Sequence, residues 1–414
     1  MFPFGFMGGG FSAVSVPSGF LVTPPFTIQQ SSTTYRVDPD FDLETYANIS
    51  VTKTYYVDSV NGSDSNTGLS WAQAFKTLSK IQSQGDADLV YIAENSYFQK
   101  NQRSTQYTRN IKFIGLGTGA TRPRITADIN NQTGAFSVHS GNCYKANITE
   151  YCGYAYDNSN INAFGNETAL TAAASIAACI ATPNTFFTDW PNTDVYVNLF
   201  DGRVPDANLI LGDSLSMAVT ADNRRQYFEN IIFNGIQLYN STSTGGLKVY
   251  MKNCTFGATV FGVSEFIMQD CVCYSRGGGD TVNYDLRNTI GTVAYEINCN
   301  IMTQDLGTSN TQASTAHNGC TIVRIGGSYH NTGGQNVADV TGGVGQTWML
   351  GCELYESVTG VGVYFSILTA WLDGVYIHDN SIGIEAPSGT TVYYKNLRNL
   401  TTTPTTGGGT FTPY

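Results

Sequence analysis

Eight short stretches of the chain share one pattern of apolar and polar positions. They are FENIIFNGI, YMKNCTFGA, IMQDCVCYS, YEINCNIMT, VRIGGSYHN, MLGCELYES, WLDGVYIHD and YYKNLRNLT. Each carries a small or apolar residue at a common inward position. Taking Ile231, Cys254, Cys271, Cys299, Gly327, Cys352, Gly374 and Leu397 as equivalent gives steps of 23, 17, 28, 28, 25, 22 and 23 residues. A second short strand follows in the same order at 259–263, 281–285, 336–340, 360–364 and 381–385. A leucine-rich repeat would hold Leu at fixed places, and a propeller would show four strands per period. Two strands per period with loops of variable length predict an all-β right-handed parallel β-helix, a solenoid whose main coils span 226–400.

Upstream, YYVDSVNGSDSNTGLSWAQAFKTLSKIQ reads as an alternating strand, a polar loop and a short helix with Phe75, Leu78 and Ile81 on one face. Such a capping helix is needed because an open coil end would leave a strand edge and an apolar core in water. With coils at 88–98 and 111–119, the cap and first coils occupy 54–139. Residues 140–225 break the pattern with an Ala-rich helix at 167–180 and a strand at 194–200, and read as a lateral insertion of the kind that often builds a solenoid's binding surface. Residues 1–53 are Gly/Phe-rich and then acidic. They read as an arm or anchoring segment that docks onto a partner or a neighbouring subunit. Residues 401–414 read as a C-terminal tail.

Composition agrees with a turn-rich β protein: only 13% of residues are charged and 12% are aromatic. The net charge of −11, with no basic stripe, argues against nucleic acid as a partner. Carbohydrate fits better, being held by hydrogen bonds and aromatic stacking, and the chain has 25 Tyr and 22 Phe. The start MFPFGFMGGG lacks a basic n-region, and no stretch reads as a membrane helix, so folding in a cytoplasm is expected. The nine cysteines are too few for a disulfide scaffold. Four fall on the repeat position and are expected as buried thiols, and only Cys143 and Cys152 have the spacing of a local bridge. A ladder spreads its cysteines along the axis, so neither a metal nor any other cofactor is expected.

The densest polar constellation lies between positions 276 and 339. Asp280, Asp285, Glu296, His317, Arg324 and Asp339 are the candidate catalytic residues, with Arg287, Tyr284, Tyr329 and Asn336 as candidate substrate-binding groups. Carboxylate pairs drawn from this set suit glycoside hydrolysis. Arg324 with His317 or Tyr329 would suit β-elimination on a uronic acid. Structural readings stand beside these: Asp280 and Asp285 flank a strand where Asp caps turns, and Arg324 could pair with Glu296 one coil below. Trp348 and Trp371 read as stacking residues, or as a sugar platform if exposed.

The cap at 55–82 resembles that of pectate-lyase-like β-helix proteins. Across 279–357, the segments DTVNYD, EINC, STAHNG, VRIGGSY, NVADV and WMLGC resemble bacterial and phage-associated members of that superfamily with polysaccharide-degrading roles. The resemblance implies a phage tailspike or virion-associated depolymerase, homotrimeric, attached by its arm to a virion tail. It would be assembled in the host cytoplasm and act outside it on bacterial capsular, exo- or lipopolysaccharide. It carries no catalytic residue over to this chain. A non-catalytic glycan-binding or structural spike is the alternative.

Overall fold

Each coil is built from three short strands. Thr321–Ile325, Ser328–Thr332 and Val337–Val340 make one coil, and Gln346–Leu350 opens the next. The computed structural model describes residues 10–99, 102, 107–126, 128–129, 136–148, 151–161, 167–190, 192–213, 216–219, 223–233, 236–240, 246–275, 279–285, 291–303, 311–340 and 345–414. Among these, equivalent strands stack into three parallel sheets of 12, 10 and 9 strands, here the first, second and third sheet in chain order within a coil. The architecture is a right-handed parallel β-helix. Three strands appear where two were expected because each predicted first segment bends in its middle.

The bend is made by Asn230, Asn253, Asp270, Asn298, Gly326, Gly351, Gly374 and Asn396, all at positive φ. Only Gly, Asn and Asp visit that region at low cost. The side chains also bond along the axis: Asn253 Nδ2 donates to Asn230 Oδ1 at 3.0 Å and Asn298 Nδ2 to Asp270 Oδ1 at 2.7 Å. The next residue turns inward, which buries Ile231, Cys254, Cys271, Cys299 and Cys352 as a column. Gly374 does not belong to that column. Leu350 pairs with Asp373, so Gly374 matches Gly351, and Val375 takes the inward place.

At the N-terminal end, the helix Leu78–Gln84 is capped by Thr77 and buries Leu78 and Ile81 over the open coil beside Phe75. The coil strand Ile111–Gly115 pairs directly with Arg225–Glu229, so much of the chain between them leaves the stack. It forms two smaller sheets with an apolar core of their own, including Phe186, Val195 and Val197. The insertion helix is only Ile176–Ala181. The earlier part of the predicted helix is drawn into strands, with Thr171 paired to Thr185. The predicted tail is also structured, since Thr403–Gly407 and Thr410–Pro413 add strands to the third and first sheets.

The arm docks on its own chain. Its strands Ile28–Ser31 and Thr34–Val37 and its helix Leu43–Ala47 lie against the outer face of the first sheet. There Phe20 meets the edges of Trp348 and Trp371 at 5.6 and 5.4 Å, leaving these indoles 1% and 3% exposed. Polar ties fix the placement. Gln346 accepts from Leu21 N at 2.7 Å and donates to Gly19 O at 2.9 Å, and the Tyr35 hydroxyl donates to Asp373. The glycines in the bend ladder follow from this docking: a Cβ on Gly351 or Gly374 would come within 2.8 or 2.4 Å of the Tyr35 ring.

Between the sheets, in the lumen, the coil core holds a charged cluster. Glu296, Arg324 and Asp339 are each 0% exposed. Glu296 accepts from Tyr284 (2.9 Å), Ser314 (2.7 Å), Tyr329 (2.6 Å) and Arg324 Nε (3.2 Å). Asp339 accepts two bonds from the Arg324 guanidinium, at 2.8 and 3.0 Å, and a third from Thr347 at 2.5 Å. Burial alone would lower the basicity of Arg324, but the Asp339 and Glu296 carboxylates outweigh it and hold the guanidinium protonated. A buried ion pair persists when its hydrogen-bonding groups are satisfied, as here.

Three outcomes test this packing. Arg324→Met should cost about 3–5 kcal/mol in chemical unfolding by stranding two buried carboxylates, and Glu296→Leu with Asp339→Leu in that background should restore most of it. Gly374→Asn keeps a backbone-compatible residue yet should cost about 1–3 kcal/mol by overpacking against Tyr35. An equal cost in a Tyr35→Ala background would refute that cause. All nine cysteines are buried and free, including Cys143 and Cys152, and burial pushes the Cys254 and Cys352 thiols up to about 12. A thiol reagent should therefore label none of them until the protein is denatured.

Candidate functional site

The three sheets offer unequal outer faces. The first is covered by the arm over much of its length. The second carries a ring stack in which His330 faces Tyr355 at 4.7 Å, Tyr355 faces His378 at 5.1 Å, and His378 faces Tyr376 at 4.3 Å. These rings occupy one another's faces, which removes them as a flat sugar platform. His330 is bonded at both nitrogens, by Asn300 and Asn331 at 2.7 Å each, and burial lowers its basicity.

Polar side chains with chemical potential collect on the third sheet. In the strand Val282–Asp285 the inward residues are Val282 and Tyr284, so Asn283 and Asp285 point outward. Pairing sets Asn283 beside Thr315 and Tyr284 beside Ala316, which brings Asp285 and His317, the next residue of each strand, to the same edge. Asp280 stands just before its strand. One of its oxygens accepts from Gln312 N at 2.9 Å and the other from Asn283 Nδ2 at 3.3 Å. Burial pushes its carboxyl above the usual range, against the opposing pull of the Gln312 amide and of His317. Asp285 accepts from Asn318 Nδ2 at 2.7 Å, and Thr315 Oγ1 lies 3.4 Å from His317 Nε2.

Of the predicted catalytic residues, then, Asp280, Asp285 and His317 come together on an outer face. Glu296, Arg324 and Asp339 do not, because they fill the lumen with all their hydrogen bonds made inside the protein. Tyr284 and Tyr329, predicted to hold substrate, are lumen donors to Glu296. Asn336 is also buried, donating to Tyr355 O at 2.9 Å and accepting from Asn380 at 3.1 Å across neighbouring coils. Arg287 lies outside the described residues. Asn283, Thr315, Gln312 and Asn318 were missed as members of the cluster. Strand alternation could have found Asn283, which shares the phase of Asp285.

A carboxyl biased toward its protonated form, a second carboxylate and an imidazole across two coils can move protons at a bond laid over the sheet. Among the described residues, no group of three or more His, Cys, Asp or Glu side chains is arranged to hold a metal ion.

The chain matches no protein-family model and no curated protein. Among solved structures it is similar to XylC in complex with xylose, at 10% identity over 83% of this chain and 68% of that one, with a TM-score of 0.43. It is also similar to a GH136 lacto-N-biosidase from Eubacterium ramulus, at 11% identity over 87% and 68%, with a TM-score of 0.33. The tailspike protein gp49 from Pseudomonas phage LKA1 aligns at 12% identity over 77% and 70%, with a TM-score of 0.24. Likeness at these values carries no argument about activity.

Proposed function

We propose that the protein is a tailspike-like virion protein that binds a bacterial capsular, exo- or lipopolysaccharide and depolymerises it by hydrolysis at the outer face of the third sheet. The observation that carries this reading is the desolvated Asp280 carboxyl at the start of the strand that carries Asp285. Asp280 is desolvated and biased toward the acid form, the direction a general acid needs. Asp285 sits at the open edge beside His317. Asp280 bonds the Asn283 amide at 3.3 Å, and Asp285 lies a further outward step of ~7 Å along the strand from Asn283, which leaves room between the carboxyls for the water that an inverting glycosidase needs.

In this reading Asp280 protonates the leaving oxygen, Asp285 activates water on the opposite side, and His317 bonds a hydroxyl of the sugar beside the scissile link. Assembly as a homotrimer, attachment to a phage tail, and action outside the host cell belong to the same proposal. One observation favours the alternative, a spike that binds glycan without cutting it. Both carboxylates already brace neighbouring segments, Asp280 through Gln312 and Asp285 through Asn318.

Purified protein should release new reducing ends from its polysaccharide without forming an unsaturated uronate. Asp280→Asn and Asp285→Asn should each lower kcat by about 10²–10⁴-fold while leaving the fold intact. A general acid works only while protonated, so kcat/KM should fall as pH rises through the raised Asp280 value, and that alkaline limb should disappear in Asp280→Asn. Unsaturated products, or full cleavage by both variants, would remove the hydrolytic reading. Binding without any cleavage would establish the alternative.

A further inference from the structure

An open cavity of about 430 Å³ lies at the capped end of the stack, and none of its lining residues belongs to the arm or to the third sheet. A cavity of this size is at the lower end of those that hold a small organic ligand. One wall is Trp71, in the short helical turn Trp71–Gln73. Its indole stands against the Tyr56 ring at 4.8 Å and 67°, and Tyr56 in turn stacks on Tyr91 at 5.7 Å, so the indole is braced from behind while 43% of the residue is exposed. Val60 and Leu116 extend the apolar surface.

The remaining lining is polar. The Asp58 carboxylate is occupied by the turn it makes, accepting from Val60 N and Asn61 N at 2.9 Å each and from Asn61 Nδ2 at 3.0 Å. Glu94 and Asn95 are different. Both are exposed, and no described residue bonds the Glu94 carboxylate or the Asn95 side-chain amide. Asn95 is held in a left-handed turn at φ 60°, with its backbone N–H on Thr121 O at 2.7 Å. The cavity thus pairs a fixed aromatic face with an acceptor and an amide that no described residue bonds. Among the described residues, no Lys or Arg lines it.

We propose that this cavity is a saccharide-binding site separate from the third-sheet cluster, taking a neutral pyranose. The C–H face of the ring packs on Trp71, and its hydroxyls donate to Glu94 and pair with Asn95. A uronate or sulfated sugar is disfavoured, because its charge would meet Asp58 and Glu94 with no cation among the described lining residues to offset it. The inference follows from the cavity's own chemistry and does not require the third-sheet cluster to be catalytic.

Calorimetric titration of the full chain with maltohexaose, xylohexaose and chitotetraose, and with trigalacturonate as the acidic probe, tests it. At least one neutral oligosaccharide should bind more tightly than trigalacturonate. Trp71→Ala should weaken that binding at least tenfold and Glu94→Gln several-fold. Glu94 is exposed, with no bond from a described residue, so its variant reads the site even if Trp71→Ala perturbs the cap. Binding is read at Trp71 and Glu94 and cleavage at Asp280 and Asp285, so failure here and failure of the hydrolytic reading appear in different variants. No binding by any neutral probe, preference for trigalacturonate, or unchanged affinity in both cap variants would each overturn the proposal.

Discussion

Over much of its length the first sheet is covered on both faces, by the coil lumen within and by the arm without, and much else in the structure follows from that constraint. A sheet exposed on one side alternates apolar and polar residues, whereas one buried on both sides can be apolar in either phase. In Val293–Ile297 the residues facing the arm are Val293, Tyr295 and Ile297, and those facing the lumen are Ala294 and Glu296. Thr321–Ile325 repeats the arrangement, with Val323 under the arm and Arg324 inside. The larger apolar side chains therefore lie outside, and the charges lie within.

That inversion explains what could be read from the sequence and what could not. The ladder itself was legible because its bend demands Asn, Asp or Gly and its inward step demands a small apolar residue, and both recur whatever covers the sheet. Strands of the third sheet were legible where their outward positions are polar, as Asn283, Asp285, Thr315 and His317 are. Glu296 and Arg324 were misplaced because a strand with two apolar environments gives no sign of which phase points inward, and Asp339 because its outward neighbour Ala338 is apolar as well; a one-residue slip then reverses every side chain. The same slip moved Gly374 into the inward column. The arm was recognised as distinct, but its destination lies in contacts separated by more than 300 positions, such as Tyr35 with Asp373. No local pattern records those except the change from Asn to Gly at the bends it covers.

The charges divide by their surroundings. In the lumen, a guanidinium between two carboxylates, ringed by Tyr284, Tyr329, Ser314 and Thr347, is closed to solvent and complete in its bonds, so it acts on packing and specificity of register. On the third sheet, Asp280 is desolvated with no cation bonded to it among the described residues, and Asp285 and His317 stand at an edge. Identical residue types thus take different surroundings within three adjacent coils, and burial, which composition does not reveal, separates them.

The arm also imposes an order of events on the growing chain. It is made first, yet its contacts with Gln346 and Asp373 join residues 325 and 338 positions apart. At about 5–20 residues per second, the surface that receives Phe20 and Tyr35 emerges on the order of 15–65 s after they do. During that interval coils can form one upon another by nearest-neighbour pairing, and the arm's helix can already meet Lys112, Arg225 and Glu265. Docking of Phe20 and Tyr35 is available only once the coils carrying Gln346, Trp371 and Asp373 have formed in register.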